Sequence, residues 1–280
     1  MDLFLVDLHT GALKLLLPHP GREVDLDADD FTPDNNGLLV LSNEGSDFYR
    51  LLKVDLETGK AEELEKAGWD ITNAYFSPNG RYRVTVINQD ASTVTRVWDT
   101  RTCKALSLPK VPVGEVRGLV FSPSESKAAF FVNGDRSPSN LWIWDLASGR
   151  AQALTRSLGP DIDPNDLVDS RIVRFKSFDG MEIPGVLYLP KGASARAKAP
   201  ALVWVHGGPG GQSRTGYAAN IQYLVNHGYA VLGINNRGSS GYGKAFFAAD
   251  DRKHGREPLW DCVEAKTFLA GAQSEGSTDV

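Results

Sequence analysis

Cysteine is scarce in this chain of 280 residues: Cys103 and Cys262 are the only two, and they fall in different halves. That excludes a disulfide framework, and both are expected as buried free thiols. Long hydrophobic runs are also missing. No window approaches the roughly 18 apolar residues of a membrane span. Residues 1–10, MDLFLVDLHT, contain aspartate and neither lysine nor arginine. This start encodes no export signal, and a cytoplasmic location is expected. Excess positive charge is absent as well. The net charge of −5 argues against nucleic acid or an anionic membrane surface as the main partner. No His, Cys and Asp spacing fits a metal site, and nothing implies a cofactor. A last absence bears on chemistry: the chain has no Gly-x-Ser-x-Gly. The nearest stretch, Gly211-Gln212-Ser213-Arg214-Thr215, lacks the second glycine.

What the first half does contain is a repeat. Phe31-Thr32-Pro33, Phe76-Ser77-Pro78 and Phe121-Ser122-Pro123 stand 45 residues apart. A second pattern alternates with them: Asp7 to Gly11, Asp55 to Gly59, Asp99 to Cys103 and Asp145 to Gly149, each Asp-x-x-Thr/Ser followed by glycine or, once, cysteine. Such a segment makes a tight hairpin turn. The aspartate caps turn N–H groups, and glycine takes positive φ at little cost. Cys103 breaks the glycine rule, so its turn is expected to be strained. Alternating strands flank each turn, as in Leu141-Trp142-Ile143-Trp144. Four short strands per repeat is the β-propeller period. A plain β-sandwich explains the alternation but not the fixed repeat. Residues 1–20 supply the last strands of one blade and 21–156 about three more. Propellers close with about four to eight blades, so a partial propeller of about three to four blades is expected, in a chain that starts inside a blade.

After Thr155 the period changes. A proline- and aspartate-rich crossing, residues 157–164, reads as a linker. A hairpin about Asp179-Gly180 is expected next, and then a buried strand at 201–205. A helix at 217–226 stops at His227-Gly228, a strand runs over 229–234, and a last helix over 258–269 turns Leu259, Val263, Phe268 and Leu269 inward. Asp250-Asp251 and Lys253-His254 read as a solvated charged stretch. This is an α/β plan, which divides the chain into a partial β-propeller at 1–160 and an α/β unit at 161–280.

The most telling segment is Val203-Trp204-Val205-His206-Gly207-Gly208-Pro209-Gly210-Gly211. An apolar strand runs into a glycine-packed turn and exposes backbone N–H groups where an oxyanion can be held. Together with Asn235-Asn236-Arg237-Gly238-Ser239-Ser240-Gly241-Tyr242-Gly243 and Trp260-Asp261, it resembles the prolyl oligopeptidase family of serine peptidases. That resemblance implies a propeller followed by an α/β-hydrolase domain, here truncated before the nucleophile. It also implies cleavage of short peptides through an acyl-enzyme.

By the same resemblance His206 takes the place of a tyrosine whose hydroxyl helps bind the oxyanion. The alternative is a structural imidazole bonded to nearby backbone. Gly207 and Gly208 are further oxyanion candidates, with Pro209 fixing the turn after them. Arg237 either reaches substrate or pins its own loop, and the family favours the pin. Ser239 and Ser240 read as turn residues. The catalytic triad is absent, residues 270–280 are polar without a strand pattern, and the chain alone is expected to be inactive. Two other readings share part of these features. A non-catalytic propeller binding module fits Trp98-Asp99 and Trp144-Asp145 but leaves 171–269 unexplained. A related esterase or acylaminoacyl-releasing enzyme shares every motif. Oligomeric state has no signature in the sequence.

Overall fold

The computed structural model describes residues 2–194, 196–208 and 210–272. Pro209 and the polar stretch beyond residue 272 lie outside the described residues. The chain opens with a two-stranded antiparallel sheet, β1 (Leu3–Val6) and β2 (Leu13–Leu16). Three four-stranded antiparallel meanders come next. The first is β3 (Leu26–Phe31), β4 (Gly37–Ser42), β5 (Arg50–Asp55) and β6 (Ala61–Glu65). The second is β7 (Asp70–Phe76), β8 (Tyr82–Gln89), β9 (Ser92–Asp99) and β10 (Lys104–Leu106). The third is β11 (Glu115–Phe121), β12 (Lys127–Gly134), β13 (Ser137–Asp145) and β14 (Arg150–Ala153). Each is a propeller blade, packed face to face on its neighbour. Leu39, Leu51, Ile71 and Ile87 fill one such interface, and Val84, Val97, Phe130 and Trp144 fill the next.

Both repeated motifs now have a physical reason. In Phe-Ser/Thr-Pro the hydroxyl accepts the N–H five residues on, at the start of the following strand. The pairs are Thr32 with Gly37 (2.8 Å), Ser77 with Tyr82 (2.9 Å) and Ser122 with Lys127 (3.2 Å). The hairpin turn is therefore tied at its base. In the other motif the aspartate Oδ1 accepts turn N–H groups. Asp7 takes His9 and Thr10, Asp55 takes Thr58, Asp99 takes Arg101 and Thr102, and Asp145 takes Ser148. These bonds favour the ionised carboxylate and hold all four below the usual carboxylate range. The closing residue is left-handed in all four copies, with φ of 71°, 73° and 69° at Gly11, Gly59 and Gly149 and 54° at Cys103.

The second part forms one mixed sheet in the order β15 (Ser170–Lys176), β16 (Glu182–Tyr188), β18 (Ala230–Ile234), β17 (Ala201–Val205). Only β17 and β18 run parallel, joined by α1 (Ala219–Asn226). Ile221, Leu224 and Val225 of α1 pack on Val186, Tyr188 and Val231. The opposite face carries Leu187, Leu232 and Ile234 against Ala265 and Leu269 of α3 (Glu257–Ala272). A short α2 (Lys244–Phe247) lies between. Helices on both faces of a sheet give the α/β-hydrolase layering. No helix among the described residues is long and apolar enough to cross a membrane.

Four expectations need correcting. Cys103 is exposed and Cys262 half-buried, because the Cys103 turn projects from its blade. The strand at 201–205 is not fully buried: β17 occupies a sheet edge and leaves Trp204 and Val205 partly exposed. Asp250 is buried, not solvated, since it packs against the backbone of Gly238. On α3 the inward residues are Asp261, Ala265, Phe268 and Leu269, while Leu259 and Val263 face out. The helix is rotated so that the Asp261 carboxylate is inside, for a reason that the site supplies.

The turn holding Cys103 generates a stability prediction. A non-glycine residue in the left-handed region costs about 1–2 kcal/mol, and glycine gives back some of that through unfolded-chain entropy. Cys103→Gly should therefore stabilise the protein by up to about 1 kcal/mol, read as a calorimetric Tm higher by roughly 2–3 °C.

Candidate active site

The parallel strands β17 and β18 end side by side, Val205 opposite Ile234. In α/β sheets ligands bind in the crevice beyond such carboxyl ends. Here the crevice has a volume of about 270 Å³ and is walled by His206, Gly208, Gly210, Asn236, Gly238 and Pro258 among others. Gly207 and Gly208 follow β17 after His206. A Cβ at Gly207 would meet nothing within 4 Å, so that position opens onto free space. Among the described residues no acceptor takes the Gly207 or Gly208 N–H. Gly211 is needed for a different reason: a side chain there would collide with the Gly207 carbonyl and the His206 ring.

The His206 ring is engaged on both sides. Its Nδ1 lies 2.9 Å from the Gly207 carbonyl and its Nε2 lies 2.8 Å from Ser239 Oγ. A serine beside a histidine invites comparison with a nucleophile–base pair, but three features separate them. Ser239 is completely buried. Its hydroxyl donates to the Asn236 carbonyl at 2.6 Å. The distal ring nitrogen faces a backbone carbonyl, not the carboxylate that orients a catalytic imidazole. Ser239 thus steadies His206 against the loop after β18.

That loop is fixed by Arg237, whose side chain is 3% exposed. Its guanidinium bonds Asp261 Oδ1 at 2.9 Å through one nitrogen, and Nε reaches Oδ2 at 3.0 Å. The remaining face of the fork takes both oxygens of Asp179 at 2.7 and 2.9 Å. The backbone N–H of Arg237 also donates to Asp261 (2.9 Å), and Ser177 Oγ to the same carboxylate (2.6 Å). The Phe178 ring lies under the guanidinium at 4.9 Å. The Arg237 fork therefore points into the protein and grips two carboxylates. Burying Asp261 for this purpose is what rotates α3.

Asn235, also fully buried, clamps the other side of the crevice. Its Oδ1 accepts the Ser213 N–H (2.6 Å), and its Nδ2 donates to the Ser213 carbonyl (3.0 Å) and to the Tyr242 hydroxyl (2.9 Å). The segment leaving the glycine turn is further held by the blades. Asn88 donates to Gln212 (2.9 Å), Arg214 to Thr93 (2.9 Å), and the Gly216 N–H to Asp135 (2.8 Å). Sequence reasoning marked Arg237 and quoted Asn235 and Asp261 within motifs, but it missed Asp179 as a partner. The signal was the acidic Asp-Gly turn, read only as a hairpin. Among the described residues no group of three or more His, Cys, Asp or Glu clusters as metal ligands do.

With this geometry in place, the likeness to known proteins bears on the family. The model of the prolyl oligopeptidase family matches residues 215–277. Dipeptidyl aminopeptidase BIII of Pseudoxanthomonas mexicana is 26% identical over 242 residues, covering 84% of this chain and 35% of that protein. Dipeptidyl peptidase family member 6 of Caenorhabditis elegans is 39% identical over 67 residues, covering 24% of this chain and 9% of the relative. A puromycin-hydrolyzing peptidase of Mycobacterium tuberculosis superposes with a TM-score of 0.79 at 20% identity, covering 95% of this chain and 42% of that one. The chain is thus similar to the prolyl oligopeptidase family, in sequence over residues 215–277 and in fold over nearly its whole length. It spans less than half the length of these members, so what whole prolyl oligopeptidase-type enzymes do comes to it only by inference. The order of the parts, propeller sheets and then a mixed α/β sheet, is shared with the superposed structure.

The Arg237 cluster generates two predictions. Removing one partner of a buried ion pair costs about 3–5 kcal/mol, so Arg237→Ala should lower the urea midpoint steeply, and Arg237→Lys should recover only part because it cannot form the two-pronged contact. The second concerns pH. The Arg237 guanidinium holds the Asp179 carboxyl down at about 2 against an ordinary 3.8. With the folded value below the unfolded one, its stabilisation is complete above about pH 4 and disappears as pH falls through 2. Stability measured by urea unfolding should therefore fall less between pH 4 and pH 2.5 in Asp179→Asn than in the parent, from a lower starting value.

Proposed function

We propose that this chain supplies the oxyanion-binding side of a prolyl oligopeptidase-type serine peptidase that cleaves short peptides through an acyl-enzyme. The observation that carries the reading is the pair of Gly207 and Gly208 N–H groups, without acceptors among the described residues, just beyond the carboxyl end of β17 and with open space at Gly207. Two adjacent backbone donors in a rigid turn suit the charge that develops on a carbonyl oxygen during acyl transfer. His206, held by Ser239, adds a wall to the crevice and a ring nitrogen close to the donors. In this reading Arg237 is a positioning residue: it acts through the loop and never meets substrate. The division between propeller and hydrolase parts falls near residue 160, and the blades limit access to short peptides. A puromycin hydrolase mutant of the same fold was solved in complex with PGG, which fits a peptide substrate of this size.

The same reading makes the 280 residues alone inactive. Acyl transfer needs a serine on a strand-to-helix turn, with a histidine and an acid. The sequence has no Gly-x-Ser-x-Gly, and Ser239 is buried and committed to Asn236. Losing the nucleophile or base costs on the order of a millionfold in turnover. The purified chain should not hydrolyse chromogenic dipeptidyl or acylaminoacyl substrates above a His206→Ala control, nor gain mass from a fluorophosphonate. Turnover that disappears in Ser239→Ala would overturn this, making Ser239 and His206 a working pair. Reading the gene past the codon for Val280 tests the peptidase assignment separately: an apolar strand and then Gly-x-Ser-x-Gly is the expected result.

A further inference from the structure

Successive blades of this chain are built on one plan, yet one interface between them is not closed. On the third blade the face turned to its predecessor carries Ala128 opposite Trp144 and Phe130 opposite Trp142 across β12 and β13. Ala128, Phe130 and Trp144 are buried there with Tyr82, Val84 and Val97. Forty-five residues earlier, the matching positions on β8 are Arg83, opposite Trp98, and Thr85, opposite Arg96. Charged groups stand where the repeat next places core. The result is an open cleft of about 900 Å³ between the first and second blades, a size that holds a drug-sized molecule.

The walls of this cleft are uneven in charge. Lys53, Glu65 and Lys66 come from the first blade, and Arg83, Arg96 and Trp98 from the second. Besides the buried Asp99, the lining holds a second buried carboxylate, Glu65. It is shared by two guanidiniums, Arg83 at 2.9 Å and Arg96 at 3.1 Å, and also accepts from Thr85 at 2.9 Å. Asp34 is taken up by its own turn, and Asp99 by its turn and by Arg81 at 3.5 Å. Among the described residues Lys53 and Lys66 make no ion pair. Four cations and three carboxylates thus line the cleft, each carboxylate already bonded, beside the indole of Trp98, with Phe76 and Leu64 adding apolar wall.

We propose that this inter-blade cleft is a binding site for a small organic anion: a flat apolar body stacked on Trp98, with a carboxylate set between Arg96 and the two lysines. Arg96 offers a planar fork that fits a carboxylate, and the aromatic face supplies stacking area. Arg83, buried and paired with Glu65, fixes the wall and lies 5.8 Å from the Trp98 ring. This site lies in the propeller blades, away from the crevice at residues 206–208, and does not depend on peptidase function.

The test uses the whole chain and 2-naphthoate as probe, with 2-naphthamide as its uncharged counterpart. Isothermal titration should show one saturable site for naphthoate below about 1 mM. Naphthamide, and naphthoate on the Lys66→Gln/Arg96→Gln double variant, should bind at least about tenfold more weakly. Lys66 is exposed and Arg96 lies 39% open, and Glu65 keeps Arg83 and Thr85 in the variant, so a cooperative melt shows that it stays folded even where the midpoint falls. The exposed Cys103 thiol lines the same cleft and gives a readout on the parent protein. Naphthoate should slow its alkylation and leave that of Cys262 unchanged. Equal binding of acid and amide, no saturation up to about 5 mM, or an unprotected Cys103 would each overturn the proposal.

Discussion

Asp261 from α3 and Asp179 from the turn between β15 and β16 close on one guanidinium, and three segments distant in sequence become one body. Removing an arginine and a carboxylate from water costs several kcal/mol per ion unless the geometry is close to ideal. Here both oxygens of each acid are used and the Arg237 backbone joins in. The residues just beyond Arg237 inherit that placement. Ser239 sits two positions on and reaches His206, while Gly238 is packed against the buried Asp250. The crevice at the end of β17 is therefore shaped by Arg237, Asp179 and Asp261, which do not line it.

A second constraint comes from the propeller side. The repeated hydroxyl and aspartate caps make each blade a self-contained meander, so blade order tracks sequence order with no crossovers. Blade-to-blade contacts combine apolar clusters with side-chain hydrogen bonds and ion pairs, and polar contacts also reach the α/β sheet: Asp135 to Ser170 and Gly216, Asp90 to Arg174, Asn88 to Gln212. The loop that leaves the glycine turn is thus bonded to β8, to β9 and to the turn between β12 and β13. The donors of Gly207 and Gly208 sit between a salt-bridged frame on one side and this polar seam on the other.

Much of this architecture was legible in the sequence because period is a strong signal. The 45-residue spacing led to blades, the change of period after Thr155 led to the mixed sheet, and Gly228, with φ of 88°, ends α1 where a left-handed residue was expected. The misses share a cause. Leu259 and Val263 were placed inside α3 because apolar spacing was weighed alone, and a buried aspartate at position 261 outweighs it once Arg237 is its partner. Asp250 was read as solvated because its packing partner, a glycine twelve residues earlier, leaves no pattern. Cys103 illustrates the reverse: a departure from glycine at one copy of a turn correctly marked a strained φ. The charged interface at Arg83 and Arg96 was invisible until cross-strand register was known, because two arginines on alternating strands read as solvent-facing.

The proposed oxyanion cradle consists of two backbone donors without acceptors among the described residues, beside a loop pinned by Arg237. Amide hydrogen exchange followed by NMR measures both properties at once. Gly207 and Gly208 should exchange at close to unprotected rates while Val231, Leu232 and Ile234 of the neighbouring strand stay protected by their ladder bonds. Protection of the two glycines comparable to that strand would show that their N–H groups already have acceptors, and no cradle for negative charge would exist there.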